Sequence, residues 1–165
     1  MKKISIILIV SIFIFACSQT NNNSQALEMR IDSLQAKLAA SYKPGLGEFM
    51  SNIQVHHDKL WFAGQNQNWK LADFEINEIK ESLDDIQKYC QDRSETKLIG
   101  MINAPINSIG KSIQNKKPES FRNAFVVLTN TCNSCHQATA HEFNVIKIPD
   151  TPPFSNQSFG VEHAK

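Results

Sequence analysis

An excess of charge of one sign is missing from this chain: 17 Lys and Arg stand against 16 Asp and Glu. Without a basic stripe or a positive bias, the sequence lacks the electrostatic footprint of a nucleic-acid partner. Glycine and proline are scarce, six of each in 165 residues. So few chain breakers leave long periodic segments, the pattern of a helical protein. Cysteine is scarcer still, and Cys17, Cys90, Cys132 and Cys135 do not sort into pairs, so a disulfide framework is not expected. The main apolar run, Ile4 to Phe15, falls short of the roughly 20 residues that a membrane-spanning helix needs. What remains after these exclusions is one domain large enough to bury a core.

Residues 1–17 read as a processing signal. Lys2 and Lys3 precede the apolar run, and Ile14-Phe15-Ala16-Cys17 closes it. That closing tetrapeptide resembles the lipobox of bacterial lipoproteins. The resemblance implies a signal peptide over 1–16 and lipidation of the Cys17 thiol. It also implies an extracytoplasmic protein anchored in a membrane, on the periplasmic side or at the cell surface. Residues 17–25 read as a polar tether, too poor in apolar residues to order themselves.

Next comes an N-terminal helix over 26–43. Leu27, Ile31, Leu34 and Leu38 repeat at 4, 3 and 4, one apolar stripe. Docking on the rest of the protein is the commoner use of such a stripe; self-association into a homodimer is the other. Pro44 and Gly45 end this helix.

Four amphipathic segments follow within a domain over 44–146. The first runs from about Leu46 to Ala63, with Gly64 as its C-cap. The second spans about Asn68 to Gln91 and carries the cleanest stripe: Trp69, Ala72, Ile76, Ile79, Leu83, Ile86 and Cys90. Glu75 and Glu78 fall on its outer side, and Cys90 reads as a small buried hydrophobe. The third, about Lys97 to Gln114, is interrupted at Pro105, where it kinks or breaks with Asn103 capping a second piece. The fourth starts near Pro118, with Glu119 beside the positive helix end, and continues to about Phe143. Short connections predict an all-α, antiparallel up-down-up-down four-helix bundle. An extended, proline-containing tail occupies 147–165, and its Phe154 or Phe159 is a candidate cover for a cofactor edge.

The segment Cys132-Asn133-Ser134-Cys135-His136 is a CxxCH motif. Each position has a chemical job in holding haem c: two thiols add to two vinyl groups, and the imidazole coordinates the iron. A zinc site would need a second pair of ligands. A thioredoxin-like dithiol would sit at a helix start after a strand. Here Phe121, Phe125, Leu128, Cys132 and Cys135 share one helical stripe, which draws the porphyrin into the core.

Ser120 to His136, ending in this motif, resembles the last helix of the cytochrome c-prime family. The resemblance covers about residues 44–143 and implies a four-helix bundle with one haem late in the last helix. It also implies a distal residue from the first bundle helix and either electron transfer or gas binding. The helix at 26–43 and the tail depart from that pattern.

Met50, His56 and His57 are the candidate distal ligands. With the helix ends near Gly64 and Pro118 taken as level, His136 lies about 27 Å down, Met50 about 21 Å and His57 about 10 Å, at 1.5 Å per residue. Met50 is therefore the first choice, His57 the second, and His56 a hydrogen-bonded imidazole near Trp61 or Asp58. Phe49, Ile53 and Phe125 are expected to pack on the haem. A six-coordinate His136/Met50 haem makes an electron carrier that meets redox proteins at the membrane surface. The alternative is a five-coordinate haem that binds or senses NO or CO. Neither is an enzyme; a weak peroxidase-like activity would need His57 as distal acid–base.

Overall fold

The computed structural model describes residues 23–41 and 44–161. The expected signal peptide, Cys17, residues 18–22 of the tether and His163 lie outside the described residues. The protein is all-helical: among the described residues there is no strand. No helix among them is long and apolar enough to cross a membrane. The chain divides at Lys43 and Pro44 into two compact units.

In the first unit, residues 23–41 form helix α1. It begins three residues before the expected start at 26 and takes in Asn23, Ser24 and Gln25 of the expected tether, the first two being residue types favoured at helix N-termini. The stripe is open, with Leu27 60% and Leu38 70% exposed.

The second unit holds α2 (Leu46–Gln65), α3 (Trp69–Tyr89), a 3₁₀ segment (Glu95–Ile102), α4 (Asn103–Gln114) and α5 (Pro118–Ala138). Helix α3 bears out its periodicity: Ala72, Ile76, Ile79, Leu83, Ile86 and Cys90 are all buried. Asn68 caps its start, with Oδ1 accepting the Leu71 N–H at 3.3 Å. Glu75 corrects the same reading. It was expected outside, yet it is fully buried and meets His56 Nδ1 of α2 at 2.6 Å. A buried carboxylate is tolerable only with such a partner. The α2–α3 seam carries a second polar rung from Asn52 Nδ2 to Ser82 Oγ at 2.9 Å.

The third segment breaks into 3₁₀ and α pieces at Asn103, but the Asn103 side chain caps nothing there. Pro105 is the third residue of α4, inside the first turn, where its missing N–H leaves no gap in the helix.

Helix ends hold two further corrections. Gly64 lies inside α2, and the cap is Asn66. The glycine answers to packing instead: a Cβ there would sit 2.1 Å from Cε1 and Cζ of Phe121. Helix α5 stops at Ala138 and not at Phe143. Ala140 turns left-handed at φ 58°, and His141 N–H then bonds the His136 carbonyl at 2.8 Å, a Schellman closure without its usual glycine. Gln67 and Lys116 do the same after α2 and α4, at φ 56° and 51°. Glycine-poor helix ends gave the sequence reading nothing to detect.

Helices α2 and α3 pack on each other most extensively, followed by α4 on α5, α3 on α4 and α2 on α5. The 3₁₀ segment rests on α3, α4 and α5. At one end Phe121 and Phe125, both fully buried, pack with Trp61 and Trp69. The tail runs back over this end. Phe159 is buried against Phe62, ring centroids 5.7 Å apart, and Asn68 Nδ2 donates to the Gly160 carbonyl at 3.1 Å. Phe159 therefore covers α2 near its C-terminus, and Phe154 lies under Lys59 Nζ, 5.0 Å from the ring centre. Neither lines the cleft described next.

Candidate functional site

The last turns of α5 bring Cys132, Cys135 and His136, all half-buried, to one apolar cleft of about 510 Å³. Met50, Ile53 and His57 of α2 line it from the other side, with Ile79 and Leu83 of α3 beneath. The 3₁₀ segment supplies Leu98, Ile99, Met101 and Ile102. Periodicity alone puts Leu98 and Ile102 on one helical face with Ile106, and leaves Ile99 and Met101 unassigned. A second cleft of about 590 Å³ shares Met50, Ile53, His57, Cys132 and His136, and is rimmed by Gly47, Gln54, Asn144 and Ile146.

Both thiols are free. Burial, and then the neighbouring Cys135, push the Cys132 thiol up to about 12. Burial and then Glu95 push Cys135 upward as well. A redox dithiol needs the opposite, a thiol poised to ionise. Among the described residues no group of three or more His, Cys, Asp or Glu side chains could hold a bare metal ion, so a zinc site has no donor set here.

The His136 ring is oriented by one contact. Its Nδ1 lies 2.6 Å from the Asn144 carbonyl. A carbonyl only accepts, so Nδ1 carries the proton and Nε2 keeps its lone pair for a metal. Two thiols, one imidazole nitrogen with a free lone pair and an apolar cleft are thus placed where they could together hold a cofactor.

His57 is 4% exposed and spans from α2 to α5. Its Nε2 lies 2.9 Å from Thr129 Oγ1, while that hydroxyl donates to the Phe125 carbonyl at 3.0 Å. The hydroxyl proton is thereby committed, so His57 Nε2–H is the donor. Burial holds the imidazole down at about 4, neutral at physiological pH. Thr129 precedes His136 by seven residues, about 10 Å along the helix. The sequence estimate had set His57 roughly 16 Å from His136 because it took Gly64 and Pro118 as level. The helices are staggered, so His57 does reach the cleft.

Met50 lines both clefts, and Met101 only the first. Of the expected packing residues, Ile53 lines both clefts. Phe49 and Phe125 are buried in the core behind them, and Phe125 stacks on His57 at 4.5 Å. His56 is hydrogen-bonded, as expected, but to Glu75 and not to Trp61 or Asp58. His141 Nδ1 bonds the Thr139 carbonyl at 2.7 Å, and the ring lies beside Phe143. Comparison with protein-family models, curated proteins and solved structures gives no match to this chain.

Proposed function

We propose that this chain is a mono-haem c-type cytochrome that carries electrons outside the cytoplasm. Cys132 and Cys135 would hold one haem by adding their thiols across its two vinyl groups, and His136 Nε2 and Met50 would ligate its iron. The observation that carries the reading is the His136 ring, whose Nδ1 is spent on the Asn144 carbonyl at 2.6 Å beside two free thiols. Haem supplies a one-electron ferric–ferrous couple. The chain's own residues then set its working range. Leu, Ile and Met side chains line the cleft and disfavour the extra charge of the ferric form, and a thioether ligand does the same.

Met50 is preferred over His57 because His57 pairs with Thr129, seven residues before His136 on α5, while Met50 lies seven residues before His57 on α2, which brings it level with His136 in an antiparallel pair. It is preferred over Met101 because it borders both clefts that share His136. We read the protein as a carrier and not an enzyme, since His57, the one candidate acid–base residue over the iron, is buried and hydrogen-bonded to Thr129. An antiparallel up-down-up-down bundle belongs to the same proposal. It is supported by the cyclic packing of α2 on α3, α3 on α4, α4 on α5 and α5 on α2, joined by short turns at 66–68 and 115–117. Kinship with the cytochrome c-prime family, export, and a lipid anchor at Cys17 complete the reading.

Optical spectra of the holoprotein test the ligand set. The wild type is expected to be low-spin, with the weak far-red ferric band of sulfur ligation. Met50→Ala should turn it high-spin and lower the midpoint potential by at least ~59 mV, a tenfold change for one electron. Met101→Ala should leave both unchanged. A high-spin wild type that binds CO or NO and ignores Met50→Ala would make the protein a gas binder instead.

A further inference from the structure

We propose that Asn133, the residue after the first haem-bearing cysteine, is a positioning residue that sets how strongly His136 donates to the iron. The inference rests on the haem reading above and concerns what holds the proximal histidine. Asn133 and His136 are three residues apart and share a face of α5. Both reach the same returning segment. His136 Nδ1–H meets the Asn144 carbonyl at 2.6 Å. Asn133 Nδ2 donates to the Ile146 carbonyl at 2.8 Å, and its Oδ1 accepts the Ile146 N–H, also at 2.8 Å.

A carboxamide paired with both backbone groups of one residue fixes that residue's orientation as well as its place, as a strand partner would. Residue 146 lies opposite 133 and residue 144 opposite 136, so the segment runs antiparallel to α5 on two rungs. Side-chain packing does not hold the lower rung. Phe143 and Val145, on either side of Asn144, are 81% and 72% exposed. The approach to it is a turn through left-handed Ala140, closed by Asn144 N–H on the His141 carbonyl at 2.9 Å. Ile148 packs on the core further along, so Asn133 is the polar anchor nearest the Asn144 carbonyl.

The consequence is chemical. A carbonyl held on Nδ1–H draws that proton away from the ring and makes Nε2 a stronger donor. Stronger donation favours the ferric state. Removing Asn133 releases the segment, weakens the Asn144 contact and raises the midpoint potential.

The test compares the wild-type holoprotein with Asn133→Ala and with Asn133→Leu, which keeps the branched outline and removes both bonds. Val145→Ala is the control, an exposed side chain on the same segment that lines neither cleft. Potentiometry should show the ferrous-to-ferric ratio at fixed ambient potential rising about tenfold in both Asn133 variants, with Val145→Ala unchanged. Nitrogen-edited NMR of the ferrous protein should show the His136 Nδ1 proton shifted and exchanging at least about tenfold faster with solvent. An unchanged potential and an unchanged Nδ1 proton in Asn133→Leu, whatever happens to thermal stability, would overturn the proposal and leave the haem reading intact. A wild-type chain that carries no covalent haem would overturn that reading instead.

Discussion

Gly64→Ala is expected to destabilise the protein by about 3 kcal/mol or more. In an ordinary helix interior the same change would gain about 1 kcal/mol, because alanine is the better helix former. A net loss therefore reports packing alone. The added methyl would lie 2.1 Å from two carbons of the Phe121 ring, far inside van der Waals contact. The ring has nowhere to go. Phe121 is fully buried, with Trp61, Trp69 and Phe125 around it at centroid distances of 6.4, 6.1 and 6.0 Å. Relief must come from a shift of α2 against α5. Phe121→Leu alone should also destabilise, by about 1–3 kcal/mol for lost burial. Combined with Gly64→Ala it should cost less than the sum, and the shortfall measures the coupling. Urea unfolding of the four proteins checks this, and strict additivity would refute the contact.

Acidification should act through His57. Burial lowers this imidazole from 6.5 to about 4. Between those values the unfolded chain takes up a proton that the folded chain refuses, so the unfolded state binds more protons and stability rises with pH. The contribution is fully present above pH 6.5, falls as pH drops, and is exhausted near pH 4. At ~1.4 kcal/mol per pH unit the loss across the window is about 3 kcal/mol. His57→Gln retains an N–H for Thr129 Oγ1 and has nothing to titrate. Its stability measured against pH should lack this component, so the wild-type curve minus the variant curve isolates it. A difference that is flat from pH 7 to 4 would mean that the imidazole charges in place. Asp58, raised by burial, is present in both proteins and cancels in the subtraction.

The parts of the fold that were legible before the structure are those written in local periodicity. Helix α3 follows its stripe from Ala72 to Cys90 because one face of 21 residues must be covered, and only one helical phase does so. The placement of Cys132 and Cys135 on the inner face of α5 follows from the same arithmetic. What could not be read depends on residues far apart in sequence. Glu75 looked like a solvent-side carboxylate, and only His56, 19 residues earlier, makes its burial tolerable. Gly64 looked like a cap because nothing in its neighbourhood mentions Phe121. The end of α5 was placed too late because Ala140 takes the left-handed turn that a glycine would have announced. In the wall of the cleft, Leu98 and Ile102 fit an α-helical stripe but Ile99 and Met101 do not, because three residues per turn in a 3₁₀ segment direct side chains differently. The clamp from Asn133 to Ile146 was invisible for the same reason as Glu75: it is tertiary.

The stagger of α2 against α5 shows how much a small assumption carries. Level helix ends made His57 the second choice behind Met50, while Thr129 brings it to the cleft. The preference for Met50 stands on register, because Thr129 precedes His136 by seven residues and Met50 precedes His57 by seven.

Whether Cys132 and Cys135 carry haem is decided most directly by mass. The full-length chain, made in a host that exports it and matures c-type cytochromes, should be purified, digested with trypsin and weighed. Peptide 123–147 should carry the mass of one haem on its two cysteines, resist extraction of the haem by acidified organic solvent, and absorb as a thioether-linked haem when reduced. The same peptide at its unmodified mass, with both thiols open to alkylation and no haem absorbance in the intact protein, would contradict the account.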